Sequence, residues 1–342
     1  MRRKSWGKIA VVIGMMLLLV SMPLLGACGG GEEGEATPTP TATPTPTPTT
    51  ATSEFDVVKD AVTAYLDDVA ANILAGDLND LIAADESPYI ISLRRAADYA
   101  NGHIPGAVNI AFGDLFKAET LATLPDGEIL VYCYTGQDGS MAAALLGTLG
   151  YDVQNLKHGM CSWTTDPDIA TSSCFDPAVH QNDFAVETTA NVATETYDYP
   201  TLDNTASTDE DEILRAAAAA YSPQYIMAGD LNDMIAADEA PFIISVRSAN
   251  RYAAGHIPGA VNIGLDSLAD NLDKLPPDET IVVYCDTGHM ASQATALLNI
   301  LGYDAKNLKY GMCAWSSDET VNFGECYNRA LHANDFTVET GS

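Results

Sequence analysis

The chain has 342 residues and an ordinary apolar fraction, which exceeds one typical single-core domain and suits two. Sixteen Lys and Arg against 47 Asp and Glu leave a formal charge of −31. That excess excludes nucleic acid as a natural partner, because few cations are present to displace its counterions, and it favours solubility and repulsion of anions.

Residues 1–27 read as a targeting segment, not as fold. Arg2, Arg3, Lys4 and Lys8 form a positive start, and Ile9 to Val20 is almost wholly apolar but too short to span a membrane comfortably. Leu25-Gly26-Ala27-Cys28 follows and resembles the bacterial lipobox, in which the cysteine is acylated and becomes the new N-terminus. This predicts an exported chain, anchored to a membrane through lipid on Cys28, with its domains outside the cytoplasm. A plain secretory signal with an incidental cysteine is the alternative. Residues 28–54 form a tether, Thr- and Pro-rich over 37–52, where proline fixes φ and removes donors; an extended spacer is expected.

The remainder is a duplication. Gly76-Asp77-Leu78-Asn79-Asp80 recurs as Gly229-Asp230-Leu231-Asn232-Asp233, and Gly102-His103-Ile104-Pro105-Gly106-Ala107 recurs as Gly255-His256-Ile257-Pro258-Gly259-Ala260, both offset by 153. Cys133, Cys161 and Cys174 recur as Cys285, Cys313 and Cys326, offset by 152. The copies occupy 55–188 and 209–342, joined by a Thr- and acid-rich linker over 189–208. In copy one, Ala-rich composition predicts a helix over 57–74, matched over 213–227 in copy two. Strands are predicted at Tyr89–Leu93, Ala107–Ile110, Ile129–Tyr132 and Val153–Leu156, with a helix over Met141–Leu149 stopped by Gly150. Strand–helix–strand alternation implies, for each copy, a small mainly parallel α/β sheet flanked by helices.

In such sheets, function gathers where strands end and helices begin. Cys133 stands there, opening Cys133-Tyr134-Thr135-Gly136-Gln137-Asp138-Gly139, and Cys285 opens Cys285-Asp286-Thr287-Gly288-His289-Met290-Ala291. A tight loop feeding a helix N-terminus turns backbone N–H groups inward, where they stabilise a thiolate or a persulfide and lower the cysteine pKa. Free cysteine is also often an inert small hydrophobe, so position alone does not decide between the two.

The flanking segments add a resemblance. Ser92-Leu93-Arg94, Asp98-Tyr99 and Gly102-His103-Ile104-Pro105-Gly106-Ala107, the loop Cys133-Tyr134-Thr135-Gly136, Gly150-Tyr151-Asp152 and Gly159-Met160-Cys161-Ser162-Trp163 together resemble the rhodanese family. Copy two repeats all four features with Arg247, Tyr252, His256, Cys285, Gly302 and Trp315. The resemblance covers both copies. It implies tandem rhodanese-like domains and transfer of sulfane sulfur through a persulfide on Cys133 and Cys285. The residues after each cysteine would form the substrate-binding loop, with Arg94 and Arg247 supporting it. No cofactor or metal is implied, and the partners would be a small sulfur-containing donor such as thiosulfate or polysulfide and a cyanide or thiol acceptor.

The departures from the family pattern bear on the donor. Ser92 and Ser245 stand where Asp is usual, and the loops carry Asp138 and Met290 where Arg or Lys is common. An Arg94–Asp98 pair at i,i+4 is expected in copy one, whereas Arg251 sets a like charge against Arg247 in copy two. His289 is the candidate cation of its loop. His103 and His256 read better as holding a turn than as catalytic bases, and Trp163 and Trp315 as core or wall.

Cys161 with Cys174, and Cys313 with Cys326, share a spacing of 13 and are expected to form disulfides, which export would permit. A redox role, with Cys161 approaching Cys133, is the competing reading. Two other functions stay in view. A binding or scaffold module would keep the fold without turnover. A phosphatase or arsenate reductase needs Arg six residues after Cys, where Gly139 and Ala291 stand here.

Overall fold

A computed structural model describes residues 52–171 and 173–341. The targeting segment, Cys28 and the Thr/Pro run to residue 51 lie outside the described residues. Among the described residues, no helix is long and apolar enough to cross a membrane.

Each copy forms a five-stranded, all-parallel sheet. Copy one runs β1 (Asn72–Ile73), β2 (Tyr89–Ser92), β3 (Val108–Asn109), β4 (Ile129–Tyr132) and β5 (Val153–Leu156), ordered β1-β5-β4-β2-β3. Copy two runs β6 (Tyr225–Ile226), β7 (Phe242–Ser245), β8 (Val261–Asn262), β9 (Ile281–Tyr284) and β10 (Ala305–Leu308), ordered β6-β10-β9-β7-β8. β4 and β9 are central and buried along their whole length, which suits four consecutive apolar residues covered on both faces. Tyr89 pairs with Ile129 and Ser92 with Tyr132, while Ile129 pairs with Val153, and this register sets Cys133 just beyond the sheet's C-terminal edge.

The helix expected over 57–74 is shorter and followed by a strand. Helix Glu54–Leu66 starts with a reciprocal capping box between Ser53 and Asp56 and ends at Asp67. Its continuation is diverted because the carbonyls of Ala71 and Ile73 accept from the N–H groups of Asn155 and Lys157, which makes 72–73 an edge strand on β5. In copy two the helix is Glu210–Ala220, and Tyr225–Ile226 pair with β10 in the same way. Propensity favoured helix throughout; unpaired edge groups of a buried sheet decided otherwise.

The copies do not keep separate cores. Helices Gln137–Thr148 and His289–Ile300, which follow the two cysteine loops, are buried almost all round and pack against each other. Glu54–Leu66 and Glu210–Ala220 close the same cluster, and the Tyr65 hydroxyl donates to Gln293 Oε1 of copy two at 2.8 Å. Gly147 is necessary there, since a Cβ would lie 2.4 Å from the Tyr65 ring.

The segments that follow each copy are exchanged. After copy one the chain crosses to copy two, where Phe184 N–H donates to Trp315 O and Glu187 and His256 bond reciprocally through their backbones. Trp315 Nε1 donates to Ala185 O at 2.9 Å. The C-terminal segment returns to copy one: Phe336 N–H donates to Trp163 O, Glu339 and His103 bond reciprocally, and Trp163 Nε1 donates to Thr337 O at 2.9 Å. Trp163 and Trp315 are thus core residues sealed by the other copy's tail.

Candidate functional site

Both cysteine loops are built alike. The Cys133 and Tyr134 carbonyls accept from Met160 and Cys161 N–H at 2.9 and 3.0 Å; those of Cys285 and Asp286 accept from Met312 and Cys313 N–H at 2.8 and 3.0 Å. This close approach requires Gly159 and Gly311, both at positive φ, where a Cβ would meet the cysteine carbonyl at 2.4 and 2.3 Å. Gly136 and Gly288 turn in the left-handed region and start the following helices. Their N–H groups each donate to the cysteine sulfur at 3.1 Å, and Ala291 N–H also reaches Cys285 Sγ at 3.5 Å.

The amides do not win against burial. Cys133 and Cys285 are 1% and 3% exposed. Burial, with the Asp138 charge, pushes the Cys133 thiol up to about 11, and burial also raises Cys285, against its amide donors. The expectation of a lowered pKa is therefore corrected for the resting loops: donors aimed at sulfur hold the anion once formed, but desolvation keeps the thiol protonated.

The surroundings separate the two sites. Cys285 opens onto a cleft of about 430 Å³ lined by Arg247, Arg251, Lys157, Glu325 and the exposed Met290. At the corresponding place beside Cys133, Tyr225 of copy two closes in. Its hydroxyl donates to Asp138 Oδ1 at 2.5 Å and approaches Met141, and both side chains are shielded enough that burial raises the Asp138 carboxyl and the Tyr225 phenol. The equivalent positions in the cleft are Asn72 and Met290.

Three charge readings are corrected. Arg94 does not pair with the Asp98 carboxylate. It is buried and donates to the carbonyls of Gly102, Asp98 and Ile169 at 2.8, 2.9 and 2.6 Å. Asp98 instead binds Arg95 and the Tyr134 hydroxyl. Arg247 and Arg251 do not confront each other bare, since Asp286 bridges them at 2.7 and 2.6 Å. Asp286 also supplies the partner for Arg247 Nε that Arg94 Nε lacks among the described residues. His289 is not a cation: burial, with the nearby Lys157 charge, holds it down at about 4.

Two other loop residues, His289 and Gln137, turn toward the opposite copy. His289 Nε2 bonds to Thr135 O at 3.0 Å and its Nδ1 to Thr287 Oγ1 at 2.8 Å. Gln137 Oε1 accepts from Asn307 Nδ2 at 3.1 Å. Gly139 lies against Asn155, leaving no room for a Cβ. Gln137, Asp138 and His289 therefore join the copies, and His289 also lines the Cys285 cleft. The cysteines expected to pair are joined, Cys161 to Cys174 and Cys313 to Cys326, with Cα separations of 5.6 and 5.3 Å, so Cys161 is not a free resolving thiol. His103 and His256 bond through Nδ1 to the carbonyls of Tyr99 and Tyr252 and stack on those rings. No cluster of three or more metal-ligating side chains occurs among the described residues. Tyr225, Asn72 and Lys157 were not singled out from sequence. The Tyr225-for-Asn72 exchange at matched repeat positions was the available signal.

A family model described as Rhodanese-like domain matches residues 74–166 and again 227–318. The chain is similar to the HTH-type transcriptional regulator Rv0324 of Mycobacterium tuberculosis, 41% identical over 75 residues, covering 21% of this chain and 33% of that protein. It is also similar to the putative sulfurtransferase YtwF of Bacillus subtilis, 31% identical over 88 residues, covering 26% of this chain and 85% of that protein. The match thus spans a third of the first relative's length and most of the second's. Among solved structures, SSP1007 from Staphylococcus saprophyticus is 31% identical, covering 30% of this chain and 96% of that one, with a TM-score of 0.26.

Proposed function

This chain belongs to the rhodanese-like domain family, and on that premise we propose that it moves sulfane sulfur through a persulfide on Cys285, with Cys133 as a shielded second site. The observation that carries the proposal is the pairing of a loop cysteine, whose sulfur already accepts from Gly288 and Ala291 N–H, with an open cleft lined by cations.

The Cys285 thiol releases its proton to solvent, and the thiolate attacks the outer sulfur of a sulfane donor. With thiosulfate, the new S–S bond forms as the old one breaks, and sulfite departs with the electron pair. The outer sulfur stays on Cys285 as an anion held by the loop amides. A thiol or cyanide acceptor then attacks that sulfur, and Cys285 leaves as thiolate. Asp286 contributes by fixing Arg247 and Arg251 at the cleft wall.

Export and lipid attachment at Cys28 belong to the same reading. Their support is the basic and apolar N-terminal segment before Leu25-Gly26-Ala27-Cys28, together with two disulfides, which persist in oxidising compartments. A binding module is the second reading, favoured by Tyr225 and Asp138 over Cys133.

The test is sulfur transfer by the full chain from thiosulfate or polysulfide to cyanide. Turnover that persists in Cys133→Ser and is lost in Cys285→Ser supports the proposal. Turnover absent from the unaltered chain with both donors, or lost in Cys133→Ser alone, refutes it.

A further inference from the structure

Each copy is followed by a strap of nearly the same sequence. Asn182-Asp183-Phe184-Ala185-Val186-Glu187-Thr188 recurs as Asn334-Asp335-Phe336-Thr337-Val338-Glu339-Thr340, differing only at Ala185 and Thr337. The first strap lies on copy two and the second on copy one. Beyond the backbone pairing, three side chains repeat their contacts. Asn182 and Asn334 Nδ2 donate to Ala314 O and Ser162 O, both at 2.9 Å. The Phe184 and Phe336 rings stand edge-on to Trp315 and Trp163, with centroids 5.1 Å apart in each pair. The Glu187 and Glu339 carboxylates accept from Gly259 and Gly106 N–H, both at 3.0 Å.

The two straps reach their faces by different chain paths. The first leaves helix Pro177–His180 and continues into the linker, whereas the second leaves helix Arg329–His332. Equal contacts from unequal connections mean that the strap's own sequence carries the recognition. The first strap is further tied down by Asn191, whose N–H donates to the Tyr252 hydroxyl and whose Nδ2 donates to Glu187 Oε2, each at 3.0 Å. The second strap has no such tie among the described residues. Its hinge is defined: the Cys313–Cys326 disulfide holds residue 326 to copy two, and the next residue, Tyr327, already donates through its hydroxyl to Cys161 O at 2.5 Å. Phe336 and Val338 then pack on the core of copy one. Trp163 is 1% exposed beneath this strap, and its Nε1 donates to Thr337 O. A lifted strap bares the indole and strands its N–H, so an open face calls for an occupant of the same chemistry.

We propose that the Trp163 face is a docking site for the second strap of another copy of this chain, and that two molecules exchange Tyr327–Gly341 reciprocally into a strap-swapped dimer. One two-fold axis fills both faces with both straps, so the assembly closes. The halves of a single chain already exchange straps in this manner, and the dimer needs no contact that the single chain lacks. None of this draws on the chemistry of Cys285.

The experiment uses the full chain and a fluorescent synthetic peptide of residues 327–341. Sedimentation equilibrium at rising concentration is expected to show a dimer, and native mass spectrometry of mixed unlabelled and isotope-labelled chains should resolve a mixed species. Phe336→Ala weakens the strap: the dimer association constant falls about a hundredfold or more, and anisotropy shows the peptide captured by the vacated face. Glu339→Gln, a milder change at the exposed latch, gives a smaller loss in the same direction. A peptide carrying both changes is not captured. A chain that stays monomeric at its highest soluble concentration, a dimer indifferent to Phe336→Ala and Glu339→Gln, or a peptide ignored by the Phe336→Ala chain when circular dichroism shows it folded would each overturn the inference.

Discussion

His289 Nε2 stands 3.0 Å from the carbonyl oxygen of Thr135, so the first helical residue after the Cys285 loop is bonded to the loop of Cys133. With the ring proton on Nε2, the neutral imidazole donates to Thr135 O and accepts from Thr287 Oγ1 through Nδ1. The two cysteine loops are therefore parts of one buried polar junction.

That junction predicts acid sensitivity. Burial, reinforced by Lys157, sets His289 near 4 against an ordinary 6.5, and burial also lowers His158 beside it. A base depressed on folding contributes its full stability above pH 6.5 and loses it as pH falls toward 4, because the unfolded chain takes up the proton first. For His289 this amounts to on the order of 3 kcal/mol. Urea midpoints should fall steeply across that window, and His289→Gln, which borrows the residue at the matching place in copy one, should flatten the fall. A midpoint constant from pH 7 to 4.5 would contradict this.

The contrast between the cleft and the Tyr225 seal predicts unequal thiols. Iodoacetamide at pH 8 should modify Cys285 about tenfold faster than Cys133 in the native chain, read by peptide mass. Tyr225→Asn, which installs the copy-one residue at the matching place, should narrow the gap by releasing Asp138 and opening the approach to Cys133. Equal rates in the unaltered chain would show that Tyr225 does not shield the sulfur.

The disulfides sit at the base of the loops, since Cys313 N–H donates to Asp286 O and Cys161 N–H to Tyr134 O. Each joins cysteines 13 positions apart in sequence. Replacing both Cys313 and Cys326 by Ser should cost roughly 3 kcal/mol in the chain-entropy account. It should also lower Tm by several degrees and loosen the Cys285 loop, seen as faster alkylation of that thiol. Unchanged Tm and alkylation would make this disulfide dispensable to the loop.

Local sequence marked the framework well, and its limits are instructive. Four apolar residues at Ile129–Tyr132, followed by Cys133 and a helix, marked the central strand and the loop beyond its end. The repeated glycines at 159 and 311 make a close approach to the cysteine carbonyl that only the fold reveals. What local patterns could not show is exchange between copies. Phe184 and Phe336 look alike in the repeat, yet each packs on the tryptophan of the opposite copy. Asp286 carried no sign of its partners, because Arg247 and Arg251 are distant from it in sequence. His289 looked like a free cation because its burial comes from the other copy. Lys157 carried no signature at all, since a lysine after a strand is ordinary until the cleft it lines is assembled.

The most direct test of the account is intact mass of the full chain before and after thiosulfate or polysulfide, with Cys133→Ser and Cys285→Ser alongside. The account predicts a gain of one sulfur atom on the unaltered chain and on Cys133→Ser, removed by cyanide or a thiol, and no such gain on Cys285→Ser. No adduct from any donor, with the Cys285 thiol shown reduced and free, would contradict it.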